Sequence, residues 1–265
     1  MSTKKKAKFS SFISRVPHGI WVLLSALLFI LIWKLISMTE SGGVVFASPG
    51  AIVQAAIKYA KKGMLWTNAG ASLYRVLCGF LIGFVAAVPI AFLMGWYKTF
   101  RLLVEPWIQF IRNIPPIAYI PLVIVAAGVG EKAKIVVIFI ASFLTMVITI
   151  YQGVLNVDST LIKAGRVLGA NDRVMFFKIV VPASTPFIIT ALRLGLSSSL
   201  TTLVAAEMTG ASLGLGTMIQ TSSQYFEMDV VLMGIVIIGI IGLVLQNLVK
   251  LLEKKVTGWQ EKRIV

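Results

Sequence analysis

The 265-residue chain is 58% hydrophobic and 13% charged, with a mean hydropathy of +0.91 and a formal net charge of +15. A soluble domain of this size needs more polar surface, because only its interior can be apolar, whereas a lipid bilayer removes that demand. The lysines and arginines stand in short clusters between apolar runs, so the basic excess does not indicate nucleic acid. The single cysteine, Cys78, excludes a disulfide framework within the chain.

Six apolar runs predict an all-α membrane protein with about six transmembrane helices. The runs are Ile20–Met38, Ser72–Met94, Leu103–Val129, Ala133–Gly153, Pro186–Met208 and Asp229–Leu252. The first is long enough to span, so we expect a retained helix rather than a cleaved signal peptide. The predicted division is an N-terminal segment 1–19, a transmembrane domain 20–252 and a C-terminal tail 253–265.

The third run is interrupted by Pro115, Pro116 and Pro121. Proline removes backbone donors and kinks a helix, and a break at membrane depth is tolerated only against protein or a water-filled path. The interruption therefore indicates a pore.

Orientation follows from the basic residues. With both termini cytoplasmic, 16 lysines and arginines fall on inside segments and 5 on outside segments. This asymmetry predicts that both termini are inside.

Two connections between spans are unusually long. The outside loop Thr39–Gly70 contains an amphipathic stretch, Ala51–Lys62, which either lies on the membrane surface or packs on the bundle. In the inside loop 155–184, Asp158 and Ser159 predict the start of a short helix that runs to Leu168. The rest of that loop carries Gly169 as a left-handed stop, Asn171-Asp172 as the cap of a second helix through Val180, and Pro182 as the exit toward the fifth span.

The inside loop resembles the signature of permeases from binding-protein-dependent ABC importers. That signature reads Glu-Ala-Ala, three residues, Gly, nine residues, then Ile, any residue, Leu-Pro. This chain keeps the full spacing with Lys163-Ala164-Gly165, Gly169 and Ile179-Val180-Val181-Pro182. Lys163 replaces the acidic residue, Gly165 the second alanine and Val181 the leucine.

The resemblance extends from about Ser48 to the C-terminus and is closest to permeases of the nitrate, taurine and aliphatic-sulfonate type. It is carried by the stretches Ile114–Leu122, Gly128–Glu131, Ala205–Gly210 and Gly214–Ile219. It implies a type I importer fold whose cytoplasmic loop 155–184 forms a coupling helix that docks on an ATPase. The docking residues implied are Lys163, Ala164, Gly165, Gly169, Ala170, Asn171, Asp172, Ile179 and Pro182.

The resemblance further implies a homodimer in the bacterial inner membrane, two ABC ATPase subunits and an extracytoplasmic solute-binding protein. The chain has no G-x-x-x-x-G-K-[ST] phosphate loop, and no HExxH, CxxC or G-x-S-x-G pattern. We therefore expect no enzyme, no metal and no cofactor in this chain, with ATP and Mg²⁺ bound by the partner ATPase. The only histidine, His18, suits an interfacial position.

Several polar residues fall at membrane depth, where such groups are costly and often functional. One hypothesis is that Arg112 or Arg193, with a hydroxyl run on the fifth span, contributes to an anion-tolerant pathway. The alternative is that both arginines hold helix ends or carbonyls together and that the hydroxyl run packs helices. The run consists of Ser197, Ser198, Ser199, Thr201 and Thr202. Glu207 could pair with a lysine or shape an external gate, and an N-cap or packing role is an equal alternative. The candidate pathway residues are Arg112, Asn113, Pro115, Pro116, Tyr119, Arg193, Ser198, Thr202 and Glu207.

Taken together, the sequence favours the permease subunit of an ATP-driven importer of a small anion, such as a sulfonate, taurine, nitrate or bicarbonate. Related permeases also carry vitamin precursors and aromatic acids, and the selecting binding protein is a separate chain. A stand-alone secondary transporter or channel is the rival, although no clear internal repeat and few intramembrane carboxylates support it. A membrane scaffold would leave the broken third span unexplained.

Overall fold

The computed structural model describes residues 17–256, and over that range the regular structure is entirely helical. The sequence predictions for residues 1–16 and 257–265 lie outside the described residues. The helices are α1 His18–Ser37, α2 Glu40–Val45, α3 Pro49–Lys61, α4 Met64–Trp96, α5 Lys98–Arg112, α6 Ile120–Ala127, α7 Glu131–Leu155, α8 Ser159–Val167, α9 Asp172–Met175, α10 Val181–Met208, α11 Leu215–Gln224 and α12 Met228–Val256.

Five helical segments within residues 17–256 are long and apolar enough to cross a membrane, and a bent pair raises the number to six. The straight ones are Gly19–Ser37, Met64–Trp96, Glu131–Leu155, Asp172–Met208 and Met228–Val256. In the bent pair, Lys98–Arg112 meets Pro116–Ala127 at 94°. The prediction of about six spans in an all-α protein is thus confirmed.

The core is organised around α7, which packs along α4 on one side and α10 on the other. Close approach of α4 and α7 depends on two glycines that lie one helical turn apart. A Cβ at Gly79 would lie 2.6 Å from Cγ2 of Ile138, and one at Gly83 would lie 2.5 Å from Oγ of Ser142. By contrast, Gly239 on α12 faces open space.

The bend in the third span lies at Asn113–Pro115. Pro116 begins a 3₁₀ turn, Pro116–Tyr119, and Pro121 is the second residue of α6. The prediction that Pro121 also breaks the helix is wrong, because proline is well tolerated in a first helical turn where its missing N–H would have no partner. The Tyr119 hydroxyl donates to the Ile111 carbonyl at 2.5 Å and ties the two sides of the bend together.

The amphipathic helix α3 packs on the bundle, which decides between the two alternatives for this stretch. Its Ile52 and Ala55 are buried in a cluster with Leu65, Leu215 and Met233. This cluster joins α3 to α4, α11 and α12 at one end of the bundle, which we call the outer end. The inner end carries the loop between α7 and α10.

The helix after Asn171 does not stop at Pro182. Residues 172–208 form one continuous helical segment in which a π turn, Phe176–Val180, links α9 to α10. Pro182 lies in the first turn of α10, where it needs no N–H partner, so its predicted role as a helix exit is wrong.

Candidate functional site

The inner loop begins with a capped helix, as predicted. The Asp158 carboxylate accepts a hydrogen bond from the Thr160 backbone N–H at 2.8 Å and starts α8. This hydrogen bond to the ionised form lowers the pKa of Asp158. The cap orients α8 as it leaves the end of α7.

Gly169 closes α8 in a Schellman motif. Its φ of 78° lies in the left-handed region that glycine enters without a Cβ clash. Its N–H donates to the Arg166 carbonyl at 3.0 Å, and the Ala170 N–H donates to the Gly165 carbonyl at 3.0 Å. Asn171 then accepts from the Val174 N–H at 2.9 Å and starts the next helix. The predicted stop and restart are both confirmed.

Gly165 has a role inside the loop. It is buried, and a Cβ there would lie 2.5 Å from Cδ1 of Ile179 and 3.0 Å from Cε of Met175. Small size at this position therefore lets α8 pack on the π turn that carries Ile179. The fourteen-residue separation between these two signature positions corresponds to a direct contact. Gly165 was implied as a docking residue, but here it is buried and packs inside the loop.

The outward surface of the loop ends in two apolar side chains. Val167 and Leu168 are 87% and 86% exposed, immediately before the Gly169 turn. Of the predicted docking residues, Lys163, Ala164, Gly169, Asn171, Asp172 and Pro182 are exposed, whereas Ala170 and Ile179 are half-buried. The sequence pattern placed Val167 and Leu168 in the helix, but it did not single them out as its tip.

The candidate pathway residues divide between open and interior positions. Arg112, Asn113 and Pro115 are exposed at the bend, while Pro116 and Tyr119 are half-buried. On α10, the Ser198 hydroxyl donates to the Ala141 carbonyl at 3.2 Å, and Thr202 is 5% exposed. Ser198 and Thr202 therefore pack helices against each other, which is the alternative given for the hydroxyl run.

Arg193 forms an ion pair with Glu253. The pair joins α10 to α12 near the inner end, and both side chains are about one-third exposed. This ion pair agrees with the alternative in which Arg193 holds helices together. Arg112 at the end of α5 stays exposed.

At the outer end lies a charge cluster, which we define as Arg75, Glu131, Lys134 and Glu207; Glu131 is half exposed and the other three are buried. The Arg75 side chain is 1% exposed and Glu207 is fully buried. Arg75 binds Glu131 in a bidentate pair at 2.5 and 2.6 Å and Glu207 at 2.5 Å. Lys134 Nζ lies 3.7 Å from Glu131. Two cations and two carboxylates balance in charge, as burial requires.

Glu207 of this cluster and two neighbouring side chains on α4 hold the first turn of α11. The Gly216 N–H donates to Glu207 at 2.8 Å, and the Leu215 N–H donates to Ser72 Oγ at 2.8 Å. The Gly214 N–H donates to Asn68 at 2.8 Å. Because the first N–H groups of a helix have no partner within it, these contacts fix α11 to α4 and α10.

The sequence analysis missed this cluster. The cationic partner of Glu207 is Arg75 rather than a lysine. The alternative of an N-cap or packing role is confirmed, because the buried Glu207 carboxylate accepts the Gly216 N–H in the first turn of α11. A signal was present, since Arg75 and Glu207 are opposite charges within two apolar runs, and such groups pair. Spacing alone could not match them, because 131 residues separate the two positions.

Comparison with known proteins decides the family. Residues 79–258 match the family described as binding-protein-dependent transport system inner membrane component. The chain belongs to this family. The matched region contains the inner loop, the bent span, and Glu131, Lys134 and Glu207 of the charge cluster.

Relatives and solved structures agree with this membership. A probable ABC transporter permease of Brucella abortus (strain 2308) is 46% identical over 225 residues, which are 85% of this chain and 90% of the relative. The taurine transport system permease TauC of Escherichia coli (strain K12) is 35% identical and spans 74% of this chain and 71% of its own. The nitrate import permease NrtB of Leptolyngbya laminosa is 30% identical, with coverages of 76% and 72%.

The fold is that of type I ABC importer permeases. An inward-facing structure of the MetNI methionine ABC transporter superposes with a TM-score of 0.62 at 22% identity, covering 73% of this chain and 98% of that one. An amino acid ABC transporter solved with histidines gives a TM-score of 0.63 at 19% identity, with coverages of 76% and 97%. The predicted family, nitrate, taurine and sulfonate type included, and the predicted fold are confirmed.

Proposed function

We propose that this chain is the permease subunit of an ATP-driven importer of a small anion, a sulfonate, taurine or nitrate first among them. Membership of a binding-protein-dependent transport family is the observation that supports a transport function. Relatives named for taurine, aliphatic sulfonates and nitrate support an anionic substrate. Bicarbonate, a vitamin precursor or an aromatic acid are further substrates to test.

In this proposal the loop 155–184 docks on the ATPase. The observation that carries it is the pair Val167 and Leu168, nearly fully exposed on a helix end that two caps and a Schellman motif hold rigid. An exposed apolar tip on a preorganised element suits insertion into a groove of a partner. Lys163 and Arg166 beside it would set the register by charge.

The proposed assembly is a homodimer with both termini cytoplasmic, two ATPase subunits that bind ATP and Mg²⁺, and an extracytoplasmic binding protein. Closure of the ATPases on ATP would draw the two loops together and change the pore from inward-facing to outward-facing, and hydrolysis would reset it. The bend at Asn113–Pro115, with Arg112 exposed beside it, is the proposed part of the pathway that meets the anion.

The test is transport by the purified permease–ATPase complex in liposomes, with the binding protein and labelled taurine, an alkanesulfonate or nitrate. We expect uptake that requires ATP and is lost in Arg112→Ala, while ATP hydrolysis and assembly persist. Arg112→Lys is the matched control, because it keeps the positive charge and should retain much of the uptake. Unchanged uptake in Arg112→Ala would refute the pathway role, and uptake without any ATPase would favour the secondary transporter.

A further inference from the structure

At the outer end, the turn between α11 and α12 repeats the motif that ends α8. The Glu227 N–H donates to the Ser222 carbonyl at 2.9 Å, and the Phe226 N–H donates to the Ser223 carbonyl at 3.2 Å. These are the two hydrogen bonds of a Schellman motif, and Phe226 occupies the position that Gly169 occupies in the inner loop.

Phenylalanine is an unfavourable residue at that position. Phe226 has a φ of 58°, and among residues 17–256 it is the one non-glycine residue with a positive φ. A side chain there meets the clash that glycine avoids, and strain of this kind is retained mostly at functional positions. Glycine would make the same turn without strain.

Packing within the subunit does not account for the aromatic ring. Phe226 is 81% exposed and the preceding Tyr225 is 74% exposed, so neither ring is used in the core. The turn is nevertheless fixed at both sides, since the Val230 N–H donates to the Glu227 carbonyl at 3.1 Å and Val230 is buried. Two aromatic rings are thus held outward on a rigid turn.

From this arrangement we infer that Tyr225 and Phe226 form a docking point for the extracytoplasmic solute-binding protein. The inference rests on the proposed function, which supplies that partner, and the family is described as binding-protein-dependent. Exposed aromatic anchors that are already ordered are typical of the centre of a protein interface. The turn lies at the end of the bundle opposite the ATPase-docking loop, where a binding protein would arrive.

The surroundings of the turn favour a protein over lipid. Exposed Gln224 and Glu227 flank the two rings, and Asp229 stands in the first turn of α12. A carboxylate beside the rings is costly to bury in lipid, whereas it can pair with a basic group at the rim of a protein pocket.

The test uses the permease–ATPase complex in nanodiscs and the binding protein recovered with this chain by cross-linking intact cells. Phe226→Gly removes the ring and relaxes the backbone, so its melting temperature should be unchanged or higher while binding weakens by about tenfold or more. Tyr97→Ser, a loss of an exposed aromatic at the inner end, is the matched control and should bind as the wild type does.

The outcomes separate this inference from the proposed function. A wild-type complex that does not bind the protein at all contradicts the proposed function. Normal binding by Phe226→Gly, or equal weakening by Tyr97→Ser, overturns only the docking point. In a Cys78→Ala background, Phe226→Cys should react with a membrane-impermeant maleimide and be protected by the binding protein. No reaction in the free complex would place residue 226 in lipid and also overturn the inference.

Discussion

At the outer end of the bundle, Arg75 and Glu207 are buried and pair with each other. Three N–H hydrogen bonds, to Glu207, Ser72 and Asn68, fix the first turn of α11. At the inner end, the loop 155–184 is held by the side-chain caps of Asp158 and Asn171, the Schellman motif at Gly169 and one glycine contact. Its apolar tip and charged flanks are exposed. Buried charge therefore fixes the helices at the outer end, whereas local caps and packing maintain the inner loop and leave its tip exposed to a partner. The comparison predicts that changes in the charge cluster act on stability and that changes at the exposed tip of the inner loop act on ATPase binding.

The largest effect is expected when the charge cluster loses a buried member. Arg75→Ala leaves Glu207 buried without its cation and should lower the free energy of unfolding by about 3–5 kcal/mol. Glu131→Ala is the control, because half of the Glu131 side chain is exposed and water can replace part of what it loses. Thermal unfolding in detergent measures both, and an equal loss from the two variants would contradict the burial argument.

A smaller loss is expected from overpacking the contact between α4 and α7. Gly79→Leu places a side chain against Ile138 and should cost about 1–3 kcal/mol. Gly239→Leu is the matched control on α12, where the added side chain meets open space within the subunit. The same unfolding assay should show no loss for Gly239→Leu. A loss as large as that of Gly79→Leu would contradict the contact assigned to Gly79.

At the inner end, loss of a helix cap should be milder. Asn171→Ala removes the acceptor for the Val174 N–H and should cost about 1 kcal/mol. Asn171→Asp keeps an acceptor and should retain most of that stability. Amide hydrogen exchange across residues 171–176 measures the change locally, and unchanged exchange in Asn171→Ala would show that the cap does not hold this helix.

The smallest effect on stability, and the largest on function, is expected at the exposed tip. Leu168→Asp should change the free energy of unfolding by less than about 0.5 kcal/mol, because the side chain is 86% exposed. It should nevertheless abolish ATPase binding, since a carboxylate would enter the proposed groove. Lys163→Glu restores the acidic residue of the family signature and should keep binding. Retained binding by Leu168→Asp would move the docking surface elsewhere on the loop.

The sequence predicts well those features of the structure that depend on residues close together in the chain. Asp158, Gly169 and Asn171 were found from sequence because caps and turns are decided within a few residues. The bend at Asn113–Pro115 was found for the same reason, although Pro121 was misread because a proline in a first turn and a breaking proline look alike.

The missed features are those that depend on distant contacts. The Arg75–Glu207 pair joins α4 to α10, and the fit of α11 onto Asn68 and Ser72 requires the folded bundle. The burial of Gly165 against Ile179 is shorter in range, but only the π turn brings the two together. Hydropathy places these residues in or near spans and contains no information about which helices touch.

The most direct test of the central claim is co-purification of the tagged chain from its native membranes in mild detergent, with mass spectrometry of the bound proteins. Gly169→Pro should be compared with Gly169→Asn, because proline cannot adopt the positive φ and lacks the N–H that donates to Arg166, whereas asparagine tolerates the turn. We predict an ATPase subunit in equal amount with the wild type and with Gly169→Asn, and its loss with Gly169→Pro. A wild-type chain that emerges without an ATPase, or an ATPase retained by Gly169→Pro, would contradict the claim that this loop couples the permease to its motor.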